Sequence, residues 1–189
     1  LEKSLKKCLK EMSLRKLSPG RVGSLYAEIY VYNRLIEFSP TIGKERKEKS
    51  ADIYLNDVED GYKKIEVKWS HYEPWKGRVY WGWRFGEKQL RSIDYFVLMG
   101  TKKESYAELE FIFVVPREKV EKIPPRKGLG GSAQRFANCY IDPEKEKKIF
   151  RLPHLPLFEE ELNNENWRKK NNDLELKKFI EFLRKHRRS

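Results

Sequence analysis

The chain has 189 residues, 41 of them Lys or Arg and 29 Asp or Glu, for a formal net charge of +12. One domain is expected at this length, and no apolar run reaches the roughly eighteen residues that a membrane-spanning helix needs. Cys8 and Cys139 are too few and too far apart for a disulfide framework or a zinc site, so both are expected as free thiols in a reducing compartment. The basic Leu1–Leu17 stretch is amphipathic without a signal-peptide core, which gives the expectation of a soluble, cytoplasmic protein with no membrane partner. The positive field favours polyanions.

Between Arg21 and Glu37, Val22, Leu25, Ile29, Tyr32 and Ile36 fall at helical spacing, and Val31 and Leu35 widen the stripe. Glu28 lies inside the widened arc, where a carboxylate needs a cation or a hydrogen-bond donor. The turn-rich Ser50–Asp52 then leads into Ile53-Tyr54-Leu55. In Lys64–Trp69, Ile65, Val67 and Trp69 alternate with Lys64, Glu66 and Lys68, the pattern of a strand with one buried face. Glu66 and Lys68 share a side, about 7 Å apart along the strand. The polar link Asn56–Gly61 suits a hairpin that brings Asp52 beside them. Two carboxylates so placed can hold Mg²⁺, and a neighbouring lysine can orient a metal-bound water and stabilise phosphoryl charge. A surface salt-bridge cluster is the plainer alternative.

Downstream, 69–85 holds four of the five tryptophans among Lys76, Arg78 and Arg84. Arg78–Arg84 alternates like a third strand. Trp69 and Trp81 or Trp83 are expected in the core, while the remaining aromatics and the basic side chains suit stacking on bases or lining a groove. His71, three residues after Lys68, is within range to assist proton transfer, though a lone histidine is usually a surface residue. Phe85–Ser92 reads as a short helix carrying Lys88 and Gln89. Asp94–Gly100 and Leu109–Val115 are nearly continuous apolar runs, as in strands buried on both faces.

After Pro116 come a short helix around Lys119–Glu121 and a Gly-rich loop with Arg126 and Lys127, either DNA-contacting or a plain connection. An edge strand is expected at Phe136–Ile141, and helices at Phe158–Trp167 and Asp173–His186. Leu176, Phe179, Ile180 and Leu183 form a stripe on the last helix, to pack on the core or on a second subunit.

Asp52 followed by Glu66-Val67-Lys68, with Glu28 after Gly23-Ser24-Leu25-Tyr26-Ala27 on the preceding helix, resembles the PD-(D/E)XK nuclease superfamily. Ala51 stands where that name has proline. The resemblance spans about 20–116 and implies an α/β fold. Its αβββαβ restriction-endonuclease-like core has a mixed central sheet flanked by helices, here joined to a C-terminal helical extension over about 117–189 in one domain. It further implies a Mg²⁺-dependent (Mn²⁺ as substitute) DNA endonuclease leaving 5′-phosphate and 3′-hydroxyl ends. Asp52, Glu66 and the Val67 carbonyl would ligate the metal, Lys68 would position the attacking water, Glu28 would join the site directly or through a water, and Gln89 would contact the site or a phosphate. Lys76, Arg78, Arg84, Lys88, Arg126 and Lys127 are the expected DNA contacts. The extra aromatic-basic and C-terminal segments favour a site-specific homodimeric enzyme of restriction type on duplex DNA. A structure-specific nuclease for branched DNA is the alternative, followed by a catalytically silent binding module and by a basic interaction protein.

Overall fold

The computed structural model describes residues 18–38, 42–43, 51–57, 61–75, 78–102, 105–127, 133–142, 147–150, 157 and 172–185. Cys8, Lys76, the Gly128–Ser132 part of the glycine-rich loop and the expected Phe158–Trp167 helix lie outside them. In chain order the elements are α1 (Pro19–Phe38), β1 (Ile42–Gly43), β2 (Ile53–Asp57), β3 (Gly61–His71), β4 (Glu73–Trp75) and β5 (Arg78–Gly86). There follow α2 (Glu87–Leu90), β6 (Tyr95–Lys102), β7 (Ser105–Pro116), α3 (Arg117–Glu121), β8 (Arg126–Lys127), β9 (Ala133–Asp142), β10 (Lys147–Phe150) and α4 (Asn172–Lys185).

The strands form two sheets. The first has the order β1-β2-β3-β6-β7. It is mixed: β3 and β6 run parallel, from Ile65 opposite Tyr95 to His71 opposite Thr101, and the other neighbours are antiparallel. The second is antiparallel, β10-β9-β5-β4, with β8 also on β9. The chain is therefore mixed α/β with a mixed sheet and flanking helices.

Two cores sandwich the first sheet. On one face, Ile53, Ile65, Val67, Val97, Met99, Ile112 and Val114 pack against Tyr26, Ala27, Val31 and Leu35 of α1 and Leu176, Phe179, Ile180 and Leu183 of α4. The stripe expected on the C-terminal helix is thus buried, and it packs on this chain's own sheet. On the other face, Phe96, Leu98, Phe111, Phe113 and Val115 meet Trp81, Trp83 and Phe85 of β5 and Ala137 and Cys139 of β9. Trp81 stands edge-on to Phe111 at 4.9 Å, and Phe85 to Phe96 at 5.0 Å. Such edge-to-face pairs add to the burial of large apolar area.

Three expectations are corrected. The alternating segment Arg78–Gly86 does form a strand, but it founds the second sheet; the third antiparallel strand of the first sheet is the two-residue β1. The strand around Phe136–Ile141 lies inside the second sheet, between β5 and β10, where its alternate residues have an apolar face to bury. Helix α1 is rotated relative to its large-residue stripe, with Val22, Tyr26, Ala27, Val31 and Leu35 buried and Ile36 exposed. The reason is Gly23: a Cβ there would stand 2.5 Å from the Trp69 ring. Small residues at 23 and 27 let the helix approach the sheet closely, and they share the inner face with Val22, Tyr26, Val31 and Leu35.

The outer edge of β7 is also occupied. Leu157 N–H donates to the Val114 carbonyl at 2.7 Å, and the Val114 N–H donates to Glu175 Oε1 at 3.4 Å. Glu175 is 1% exposed. An inward carboxylate that occupies edge N–H groups blocks pairing with a foreign strand.

Candidate active site

The β2–β3 hairpin sets the first two groups. Its register pairs Ile53 with Ile65, and the Asp52 N–H donates to the Ile65 carbonyl at 3.1 Å. Asp52 then turns its carboxylate onto the next free amide of β3: Val67 N–H donates to Asp52 Oδ2 at 2.8 Å. Asp52 thus stands at the point where β2 leaves the sheet and β3 continues.

Glu66 and Lys68 project from the face of β3 opposite the helices, as the alternation requires. Lys68 Nζ donates to Glu66 Oε1 at 2.9 Å, both side chains less than one-fifth exposed. Gln89, on the short helix α2, donates through Nε2 to the same oxygen at 2.6 Å. Its own Oε1 accepts the Gly86 N–H at 3.2 Å, so the carboxamide is held at both ends. Two separate reasons for a helix turn at this point, the Gly86 amide and burial of Leu90, place Gln89 over β3.

Burial, and after it the charges of Glu66 and Glu28, push the Asp52 carboxyl from 3.8 up to about 7, with the Val67 N–H and Lys68 pulling the other way. Glu28 is half-buried on α1 and acts on Asp52 through its charge. Glu66 and Glu28 therefore both repel the Asp52 carboxylate, a situation a divalent cation relieves. Their donor type, carboxylate oxygen, suits Mg²⁺. Even so, among the described residues no three His, Cys, Asp or Glu side chains form a closed ligand cluster. Asp52 accepts from the Val67 amide, and Glu66 from Lys68 and Gln89.

The other expected DNA contacts lie at different distances from these groups. Arg84 and Lys88 are exposed, Arg84 with its guanidinium 5.8 Å from the Phe136 ring centre. Arg126 and Lys127 are exposed on β8, where Arg126 pairs with Gln134 and Gln134 with Gly86. At about 5 Å per strand, Arg126 lies roughly 10 Å from Gly86, at the site's end of the sheet. Arg78 starts β5 at the far end, eight residues before Gly86. Trp81, Trp83 and Phe85 of the aromatic segment are buried, which removes them as base-stacking surfaces. His71 packs on Trp69 at 5.1 Å on the helix side of β3, away from Lys68, so the proton-transfer role does not fit.

Some positioning residues had no sequence signal. Arg135 of β9 pairs with Glu87 at the start of α2, two residues from Gln89. Asp94 accepts the Lys64 N–H at 2.8 Å and so anchors β3 to the head of β6. These partners are 48 and 30 residues apart in sequence. Ser70 is different: it shares the parity of Glu66 and Lys68, and its Oγ accepts the Gly82 N–H at 3.1 Å.

No protein-family model matches the chain, and no curated protein matches it.

Proposed function

We propose that the chain is a Mg²⁺-dependent endonuclease that hydrolyses phosphodiester bonds of DNA, leaving 5′-phosphate and 3′-hydroxyl ends. The observation that carries this reading is the gathering of Asp52, Glu66, Lys68 and Gln89 around β3, with the Asp52 carboxyl raised by burial and then by its acidic neighbours. An ordinary surface salt bridge has no need of a second, third and fourth polar group held half-buried. The order of elements also supports the resemblance: a helix, three antiparallel strands β1-β2-β3, a crossover ending in a short helix, and β6 parallel to β3.

Asp52 and Glu66 would hold the ion, with the Val67 carbonyl and, directly or through water, Glu28. Glu66 Oε1 is taken by Lys68 and Gln89; among the described residues Oε2 is left for a ligand. Bound Mg²⁺ supplies an acidified water and neutralises charge on the phosphoryl group. Lys68 directs its ammonium protons at the attacking water and a phosphate oxygen. Gln89 keeps Glu66 from rotating, and the Val67 N–H fixes the rotamer of Asp52. Fixed donors of this kind stabilise charge as it develops without reorganising.

Trp81 and Trp83 are buried, and Trp69 packs against the helix-side core. The exposed Arg84 remains a candidate contact from this stretch, so restriction-type cutting of duplex DNA is the first reading and structure-specific cutting of branched DNA the second. The deciding experiment is cleavage of long duplex DNA and of a four-way junction with Mg²⁺, with EDTA, and by Lys68→Ala. Cleavage that needs both Mg²⁺ and Lys68 supports the proposal; inactivity on both substrates, with DNA binding retained, points to a binding module.

A further inference from the structure

The second sheet does more than cover a core, because one edge of β5 faces the candidate site. Strand β4 pairs only with Arg78–Tyr80. Beyond it, Gly82 to Gly86 have no partner strand on that side among the described residues. The Gly82 N–H meets Ser70 Oγ, and the Gly86 N–H meets Gln89 Oε1. Both amides therefore point away from β9 and toward the polar row of β3. Arg84, midway between them, has the same parity, so its N–H points the same way.

The two bridges also fix the register between β5 and β3. Ser70 lies opposite Gly82, and Glu66 lies opposite Gly86 through Gln89, so Lys68 comes opposite Arg84. The bridges differ in length. At Ser70 a single hydroxyl closes the gap, whereas at Glu66 a whole carboxamide spans it, with bonds of 2.6 and 3.2 Å at its two ends. The gap is a wedge that widens toward Glu66, and Lys68 and the Arg84 N–H face each other across it.

We propose that this wedge is an oxyanion pocket: the main-chain N–H of Arg84 and the ammonium of Lys68 together grip a non-bridging oxygen of a phosphodiester. It rests on the nuclease reading for the identity of the anion, but not for the geometry. A main-chain donor suits the task because it is rigid and needs no reorganisation when charge builds on the phosphorus. It also assigns Arg84 two separable functions, since its side chain leans over Phe136 while its amide faces Lys68.

Substitution separates the two. Arg84→Ala keeps the amide and loses the guanidinium; Arg84→Pro loses both. Because this N–H makes no bond to β9, proline is tolerated there as at an edge strand. With Mg²⁺ and DNA, Arg84→Pro is expected to cleave about a hundredfold more slowly than Arg84→Ala at equal DNA affinity. Equal rates from two folded variants overturn the pocket while leaving the nuclease reading intact. Titration of ¹⁵N-labelled wild-type protein with inorganic phosphate in EDTA needs neither variant to fold. The Arg84 amide resonance is expected to shift saturably, and to stop shifting in Lys68→Ala. An unmoved Arg84 resonance overturns the pocket. A saturable, Lys68-dependent shift in a protein that cuts no DNA upholds the pocket and rejects the nuclease.

Discussion

Gln89 Nε2 and Glu66 Oε1 stand 2.6 Å apart, joining a helix of one turn to a strand that precedes it by some twenty residues. Groups that orient a metal ligand are worth roughly ten- to a hundredfold in activity. Gln89→Ala is therefore expected to slow cleavage by about that factor and leave DNA affinity unchanged. Gln89→Glu sets a second carboxylate against Glu66, and the like charges raise the proton affinity of the pair. Its rate profile should move to higher pH than that of the wild type, as single-turnover rates from about pH 6 to pH 9 can establish.

The elevated Asp52 carboxyl has a consequence for stability. Its folded value, about 7, lies above the ordinary 3.8, so the folded chain holds this proton more tightly than the unfolded one. The stabilising contribution is complete below about pH 4 and is lost as pH rises through about 7. In EDTA the melting temperature should fall across that window. Asp52→Asn, which keeps an acceptor for the Val67 N–H, should flatten the fall and be the more stable protein at about pH 8. Added Mg²⁺ should raise the wild-type midpoint there and leave Asp52→Asn unmoved. Identical pH dependence in the two proteins would exclude Asp52 as its source.

Arg84, Lys88, Arg126 and Lys127 rim the site from three elements of the second sheet and its adjoining helix. If each neutralises one phosphate, each alanine substitution lowers the slope of log affinity against log salt by about one. Anisotropy titrations of a labelled duplex at increasing KCl give that slope directly. Arg78, at the far end of β5, serves as the comparison and is expected to change it less.

Helix α1 offers a paired test of close packing. Gly23→Ala drives a Cβ to 2.5 Å from the Trp69 ring, whereas at Gly20 an added Cβ meets nothing within 4 Å. The first should cost about 1–3 kcal/mol; the second should be neutral or stabilising by up to about 1 kcal/mol. Denaturant melts followed by tryptophan emission report both, and Gly23→Ala alone should shift the emission of Trp69.

What could be read in advance followed the range over which residues act. The shared face of Glu66 and Lys68 is a local pattern of period two, the hairpin rests on a polar turn, and β6 and β7 are continuous apolar runs; all stand in the structure. The phase of α1 escaped because apolar periodicity weights large side chains, and here glycine and alanine face the sheet. The second sheet escaped for another reason: alternation in Arg78–Gly86 reveals a strand but not its partner, and β9 lies beyond three intervening strands. Gln89 was placed by resemblance, whereas Arg135 with Glu87 and Asp94 with the Lys64 amide left no trace in spacing. Ser70 was within reach, since it continues the row begun by Glu66 and Lys68.

The pairing of β5 with β9 bears on the order in which a growing chain becomes competent. Asp52, Glu66, Lys68 and Gln89 have all left the ribosome once residue 89 has, yet β5 then lacks its main neighbour until some fifty further residues are made. Nascent chains halted before β9 should carry every chemical group of the site on a wall that has not yet set. Full-length protein and a chain stopped near residue 130 share those groups, and only the former should protect the amides of β5 from hydrogen exchange. Strand β9, which supplies none of these four groups, would then time the completion of the proposed site.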